Sequence, residues 1–194
     1  MKKILFIVLL TSISFSIFGQ GKYMKTDRDA GAVGYTLIDV DNIKVHSISV
    51  GYTIERNIDL SFAFAFNDIF SSIGAGINYN LFKDKFMMVS PGVGIIHYSF
   101  TNINLKQTLN GAFIGVDLSG KLKFTDNFSI VPSFNIAEIF YQEVDFVDKT
   151  STTNFGFHFA FVVNTNTDLY FGLEPGFSSS NDDESLNLSF FVIF

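Results

Sequence analysis

The 194-residue chain contains no cysteine. That excludes a disulfide framework, and it excludes lipid attachment through a cysteine near the front end. Stability must therefore come from a packed core or from a membrane. Tryptophan is also missing, and histidine numbers only three. Three imidazoles without a thiol do not make a zinc-type ligand cluster, so neither a metal nor a cofactor is expected. Basic residues number 13 against 19 acidic ones, for a net charge of −6. An acidic chain without basic clusters argues against nucleic acid as a partner. No glycine-rich phosphate loop stands between a strand and a helix, and no nucleophile elbow is present.

Long apolar runs are absent beyond the first twenty residues, yet hydrophobic residues make up 47% of the chain and phenylalanine alone numbers 25. Mean hydropathy is +0.31. So much apolar material without a long run is not arranged as bilayer-spanning helices. The exception is the front end. Lys2 and Lys3 precede the apolar run 4–10, residues 11–18 mix apolar with hydroxyl side chains, and Gly19, Gln20 and Gly21 follow. This is the pattern of a signal peptide over 1–19, cleaved near Gly19-Gln20. Residues 20–194 then form one domain, of a length sufficient for a single core.

What the mature chain does contain is alternation. Ile48, Val50, Tyr52 and Ile54 share one face of an extended strand, with Ser47, Ser49, Gly51 and Thr53 on the other. A short turn at 55–57 leads to Ile58, Leu60, Phe62, Phe64 and Phe66, set against Asp59, Ser61, Ala63 and Ala65. Pairing Ile54 with Ile58 puts Tyr52 opposite Leu60 and Val50 opposite Phe62. The same period of two recurs through Phe155, Phe157, Phe159, Phe161 and Val163, and through Leu169, Phe171, Leu173, Pro175 and Phe177. The fold class expected is all-β: a single antiparallel transmembrane barrel of about ten strands. Eight is the alternative, should the weak first hairpin around Asp41-Asn42 not form. A secreted β-sandwich also alternates, but its exposed face carries charge and long polar groups. Here that face is Gly, Ser, Ala and Asn, which suit a crowded lumen.

Connections at 55–57, 83–85, 125–127 and 164–168 read as short turns, and those at 67–71, 101–110, 142–153 and 178–184 as longer loops. Short periplasmic turns, longer extracellular loops and an even strand count with both ends periplasmic are the barrel pattern. Aromatics at Phe86, Phe124 and Phe128, and at Phe66, Tyr98, Phe100 and Phe140, read as girdles at the two rims.

Over the last ten residues, Leu186, Leu188, Phe190, Val192 and Phe194 share one face, opposite Ser185, Asn187 and Ser189. This ending resembles the carboxy-terminal insertion signal of outer-membrane barrels. Together with the front end and the small-residue inner face, the chain resembles the small outer-membrane β-barrel proteins of Gram-negative bacteria, the porin-like or OmpA/OmpX-type barrel domains. The resemblance implies an outer-membrane location, contact with outer-membrane lipid, handling by the barrel-assembly machinery, and a monomer. It does not name an extracellular partner.

The candidate site is the lumen. With a turn centred on Asn166, His158 stands opposite Glu174, both facing inward. Pairing about Asp126 sets Asp117 opposite Asn135, with Lys121 and Lys123 further along the same strand; Asp59 also faces inward. These groups read as a polar network filling the barrel, with a proton-sensitive gate as the sharper version. Phe113, Tyr170 and Phe191 are the expected lumen bulk. On the outer wall, His97 and Ser99 faintly resemble the His-x-Ser of lipid A deacylases, whose chemistry needs a carboxylate to orient the histidine; Glu138 is the nearest outward one. The function expected is non-enzymatic, structural or surface-interacting. A narrow channel for ions or small solutes is the first alternative, and a lipid A-modifying enzyme the second.

Overall fold

The computed structural model describes residues 29–40, 43–55, 57–82, 86–102, 105–142, 151–165, 169–180 and 183–194. The signal-peptide segment and the Asp41-Asn42 turn lie outside them. The strands are β1 (Ala30–Val40), β2 (Ile43–Ile54), β3 (Ile58–Phe66), β4 (Phe70–Tyr79), β5 (Leu81–Phe82), β6 (Met87–Asn102), β7 (Leu105–Gly120), β8 (Leu122–Lys123), β9 (Phe128–Tyr141), β10 (Ser151–Asn164), β11 (Tyr170–Ser180) and β12 (Asp183–Ile193). The two-residue β5 pairs with β6 and β8 with β9, so they continue β4 and β7 past Asn80 and Lys121. Ten staves result. Each pairs antiparallel with its chain neighbours, and β1 pairs with β12 from Ala32↔Ile193 to Asp39↔Leu186. The sheet closes on itself, which removes every free edge along the wall.

The first hairpin forms over its whole length, Ala30↔Thr53 to Val40↔Ile43, so the count is ten and not eight. The expected β2–β3 register also holds: Ile54↔Ile58, Tyr52↔Leu60 and Val50↔Phe62. At the tight turn between them, Glu55 takes a left-handed φ of 48°. Its N–H donates to Asp29 Oδ1 at 2.7 Å.

Side chains sort strictly by parity. On β10, Phe155, Phe157, Phe159 and Phe161 are exposed, while Gly156, His158, Ala160 and Val162 are buried. Leu186, Phe190 and Phe194 point outward at 67%, 51% and 61% exposure, and Ser185, Asn187 and Ser189 inward. Apolar groups outside and small or polar groups inside make an inverted soluble protein, whose outer surface matches hydrocarbon. The shortest stave, β3, is nine residues long and the others are longer, enough for a tilted strand to cross a bilayer. Above the belt, on the end away from residues 30 and 194, the outward groups turn polar. Tyr35 Oη and His46 Nδ1 hydrogen-bond at 2.6 Å, and the imidazole stacks on Phe66 with ring centroids 5.7 Å apart.

The end carrying the connections at 55–57, 83–86, 124–127 and 165–169 is called the turn end, and the opposite one the loop end. Several segments assigned to loops from sequence are strand. β6 and β7 run on through 101–102 and 105–110, and β11 and β12 through 178–180 and 183–184. Their polar residues read as turn formers, but Ser178, Ser180 and Ser185 point into the lumen, where hydroxyls belong. The expected loop at 67–71 shrinks to 67–69 between β3 and β4, and the one at 142–153 loses 151–153 to β10, its remainder lying largely outside the described residues. A second correction concerns the girdle. Phe66 and Phe140 do face outward, but Tyr98 and Phe100 are 0% and 2% exposed and face the lumen. They share the inward parity of Ile96, opposite the outward His97 and Ser99.

Candidate functional site in the lumen

The barrel interior is layered. Small groups on one wall make room for large groups from another, because ten staves enclose only enough width for side chains to interlock. A Cβ at Gly76 would lie 3.2 Å from the Phe113 ring, and one at Gly94 would overlap it, so Phe113 lies inward across a shelf of glycine. Phe191 occupies the corresponding space over Gly172. Tyr170 is buried at the turn end, in one apolar cluster with Phe191, Ile193, Val162, Val131 and three alanines.

His158 fills a slot between two further glycines. A Cβ at Gly156 would come within 2.8 Å of Nε2, and one at Gly176 would overlap the ring. The β10–β11 register pairs His158 with Gly176, not with Glu174. The turn is shifted by one residue from a centre on Asn166, and the 166–168 connection itself lies outside the described residues. Glu174 still reaches the imidazole diagonally, with Nδ1 and Oε1 3.6 Å apart and both side chains at most 1% exposed. On its other side Glu174 stands opposite Ser189, whose Oγ is 2.9 Å from Thr36 Oγ1. A polar string thus crosses β10, β11, β12 and β1.

The remaining lumen candidates scatter. Asp117 is buried and stands opposite Asn135, as the spacing predicts, and opposite Ser90 on its other flank. Asp59 accepts from Thr53 Oγ1 at 2.6 Å near the turn end, on β3 and away from the His158 pair. Lys121 is half-buried between β7 and β8 and, with Ser129, Asn164 and Tyr170, lines a cavity of about 160 Å³ at the turn-end mouth. Lys123 does not point into the lumen interior: it lines the rim of the same turn-end cavity as Lys121 and is more than half exposed. It reaches out at the rim to Asp126 Oδ1 at 2.7 Å, and its hydrogen bond and charge hold the Asp126 carboxyl below the usual carboxylate range. Parity alone placed Lys123 inward; the break after Gly120 released it to solvent.

The largest lumen feature is one that sequence reading missed. Twelve buried apolar residues, among them Phe70, Tyr98, Phe100, Leu109, Ile139 and Tyr141, form a single cluster at the loop end. They come from seven adjacent staves, β1, β2, β3, β4, β6, β7 and β9, while β10, β11 and β12 present buried Thr152, Asn154, Ser178, Ser180 and Ser185 at that end. The signal was present: all twelve hold inward parity on their strands.

The outer-wall candidates do not converge on a catalytic geometry. His97 Nδ1 bonds Asn110 Oδ1 at 2.7 Å, and Asn110 Nδ2 donates to Gln142 Oε1 at 3.0 Å. The Glu138 carboxylate accepts from Thr153 Oγ1. Through Ile114 it stands level with Val93, four residues from His97 toward the turn end. His97 is therefore oriented by an amide, Ser99 stands opposite Ser71 and Thr108, and the carboxylate is committed elsewhere. Among the described residues no group of three or more His, Asp or Glu could hold a metal ion.

No protein-family profile matches the chain, and no curated protein matches its sequence. Its fold does match solved structures. The translocator domain of the autotransporter NalP from Neisseria meningitidis is similar over 100% of this chain and 97% of its own, with a TM-score of 0.57 and 6% identity. The amino-terminal β-barrel domain of Pseudomonas aeruginosa OprF aligns over 85% of this chain and 97% of its own, at 14% identity and a TM-score of 0.45. The NanC porin aligns over 84% and 98%, at 12% identity and 0.47. At such identities the likeness concerns the fold alone: a closed antiparallel barrel of the outer-membrane kind.

Proposed function

We propose that this chain is a non-enzymatic outer-membrane barrel with a structural or surface-interaction role, and that its lumen is closed to solutes. The observation that carries this reading is the loop-end cluster. Apolar residues of seven adjacent staves pack there, with Tyr98, Phe100 and Leu109 at most 2% exposed, and narrow the lumen. An apolar constriction of this kind excludes ions by dewetting. The belt of exposed Phe, Ile, Leu and Val supports acyl chains of outer-membrane lipid as the constant partner. Export through residues 1–19, recognition of Leu186, Leu188, Phe190, Val192 and Phe194 by the assembly machinery, and a monomeric state belong to the same proposal. Surface contacts would be made at the loop end, where Asp39, Lys44, His97 and Glu184 are exposed.

Planar-bilayer recording of the refolded protein tests it. The expected trace is silent at salt and voltage where open porins show steps. Regular unitary steps from the unmodified protein would instead favour the narrow channel.

A further inference from the structure

We propose that the turn-end cavity beside Lys121 and Lys123 binds a phosphate group. The inference stands apart from the closed-lumen reading and concerns the opposite mouth of the barrel. The cavity lies at a lapse in the sheet. Between the pairs Ser119↔Ser133 and Leu122↔Ile130 the ladder stops, where Pro132 on the facing stave has no N–H to give it. Lys121 N–H donates instead to the Phe86 carbonyl at 2.8 Å. Lys121 and Lys123 both line the cavity, together with Thr125, Ser129 and Asn164. Val162 and Tyr170 line it too, and both belong to the turn-end apolar cluster.

The first support is charge. Among the described lining residues two are lysines and one, Asp126, is acidic. Asp126 meets Lys123 at the rim with its side chain 95% exposed. An ion pair so open to solvent is weak, and a doubly charged oxyanion competes well for the same ammonium. The second support is an unmet group. Asn164 Oδ1 is buried and has no hydrogen-bond partner in the protein, and buried acceptors are rarely left so. A hydrogen phosphate carries the missing O–H, as does a phosphodiester headgroup with a hydroxyl beside it; a bare carboxylate does not. The third support is size. At about 160 Å³ the cavity is about ten times what one water needs, yet about half the smallest ordinary small-molecule pocket. It suits one oxyanion group and not a whole cofactor.

The experiment is isothermal titration of the refolded protein in a maltoside detergent, which carries no phosphate. Inorganic phosphate is the first probe and short-chain phosphatidylglycerol the second. Saturable binding of inorganic phosphate assigns the site to a soluble anion; binding of phosphatidylglycerol alone assigns it to a lipid headgroup. Lys121→Gln is expected to raise the dissociation constant about ten-fold, the weight of one charge-assisted contact. Lys123→Gln, at the exposed rim, carries the same expectation should the first variant give no heat-modifiable folded band. Asp126→Asn should tighten binding by about two- to five-fold, because it removes the competing carboxylate. A merely structural role for these side chains would not give opposite signs. No saturable heat with either probe overturns the proposal. So does binding that both lysine variants leave unchanged, or that Asp126→Asn weakens. Planar-bilayer steps from the unmodified protein bear on the closed-lumen reading alone, so the two failures are told apart.

Discussion

Replacing Phe62 by arginine will destabilise the barrel in phospholipid vesicles by about 2–4 kcal/mol, the cost of a guanidinium near the bilayer midplane. Phe62 stands at the middle of β3, 44% exposed, between Val50 on β2 and Ala75 on β4. Its neighbours along the strand on the same face are Leu60 and Phe64, so no outward polar group on β3 is near enough to receive the charge. The same substitution on a soluble protein's surface would usually lie within about 0.5 kcal/mol of neutral. The sign of the experiment therefore reports the solvent around the wall. Urea titration read by the fraction of heat-modifiable band, with Asp126→Arg at the exposed rim as the control, measures it. A Phe62→Arg cost no larger than the control's would contradict a lipid-facing belt.

Gly176→Val is expected to cost about 3 kcal/mol or more, because a side chain there has to expel the His158 ring from its slot. The imidazole lies over Gly176 with Gly156 close on its other flank, so it has little room to step aside. Moving it also separates Nδ1 from Glu174 Oε1, now 3.6 Å away, and leaves a fully buried carboxylate short of a partner. Breaking a buried pair from one side typically costs about 3–5 kcal/mol. The double variant Gly176→Val with His158→Ala should recover part of the loss, since the smaller side chain vacates the slot. Stability of both variants in the same vesicle titration checks this. Equal stability of Gly176→Val and the parent would mean that the histidine is not confined as described.

Most of the wall was legible because lipid imposes a simple code. Most outward positions in the belt are apolar, so Phe155 to Val163 or Leu186 to Phe194 announce both strand and facing direction. The first hairpin was harder: Val33, Tyr35 and Leu37 alternate weakly, and pairing of β1 with both β2 and β12 stabilises what local pattern barely specifies. Strand ends were misread for a related reason. Ser178, Ser180 and residues 105–110 have turn-like composition, and whether such residues turn or pair depends on a neighbouring strand that sequence spacing does not display. The lumen was legible only as a list of inward residues. That His158 and Glu174 meet survived a register shift, because a diagonal neighbour lies within reach of long side chains. That Tyr98 and Phe100 join Phe70, Leu109 and Ile139 in one layer depends on the stagger between staves, which parity along a single strand does not contain. Lys123 shows the converse, an inward parity cancelled by a break in the strand.

The most direct test uses the absence of native cysteine. Single cysteines placed in turn at 155–162 on β10, labelled with an environment-sensitive fluorophore and refolded into vesicles containing nitroxide-bearing lipid, report which side chains touch acyl tails. Quenching that alternates with a period of two, strong at 155, 157, 159 and 161 and weak at 156, 158, 160 and 162, is the expected result. Uniform quenching, or none at any position, would contradict a wall with hydrocarbon on one face and an enclosed polar lumen on the other.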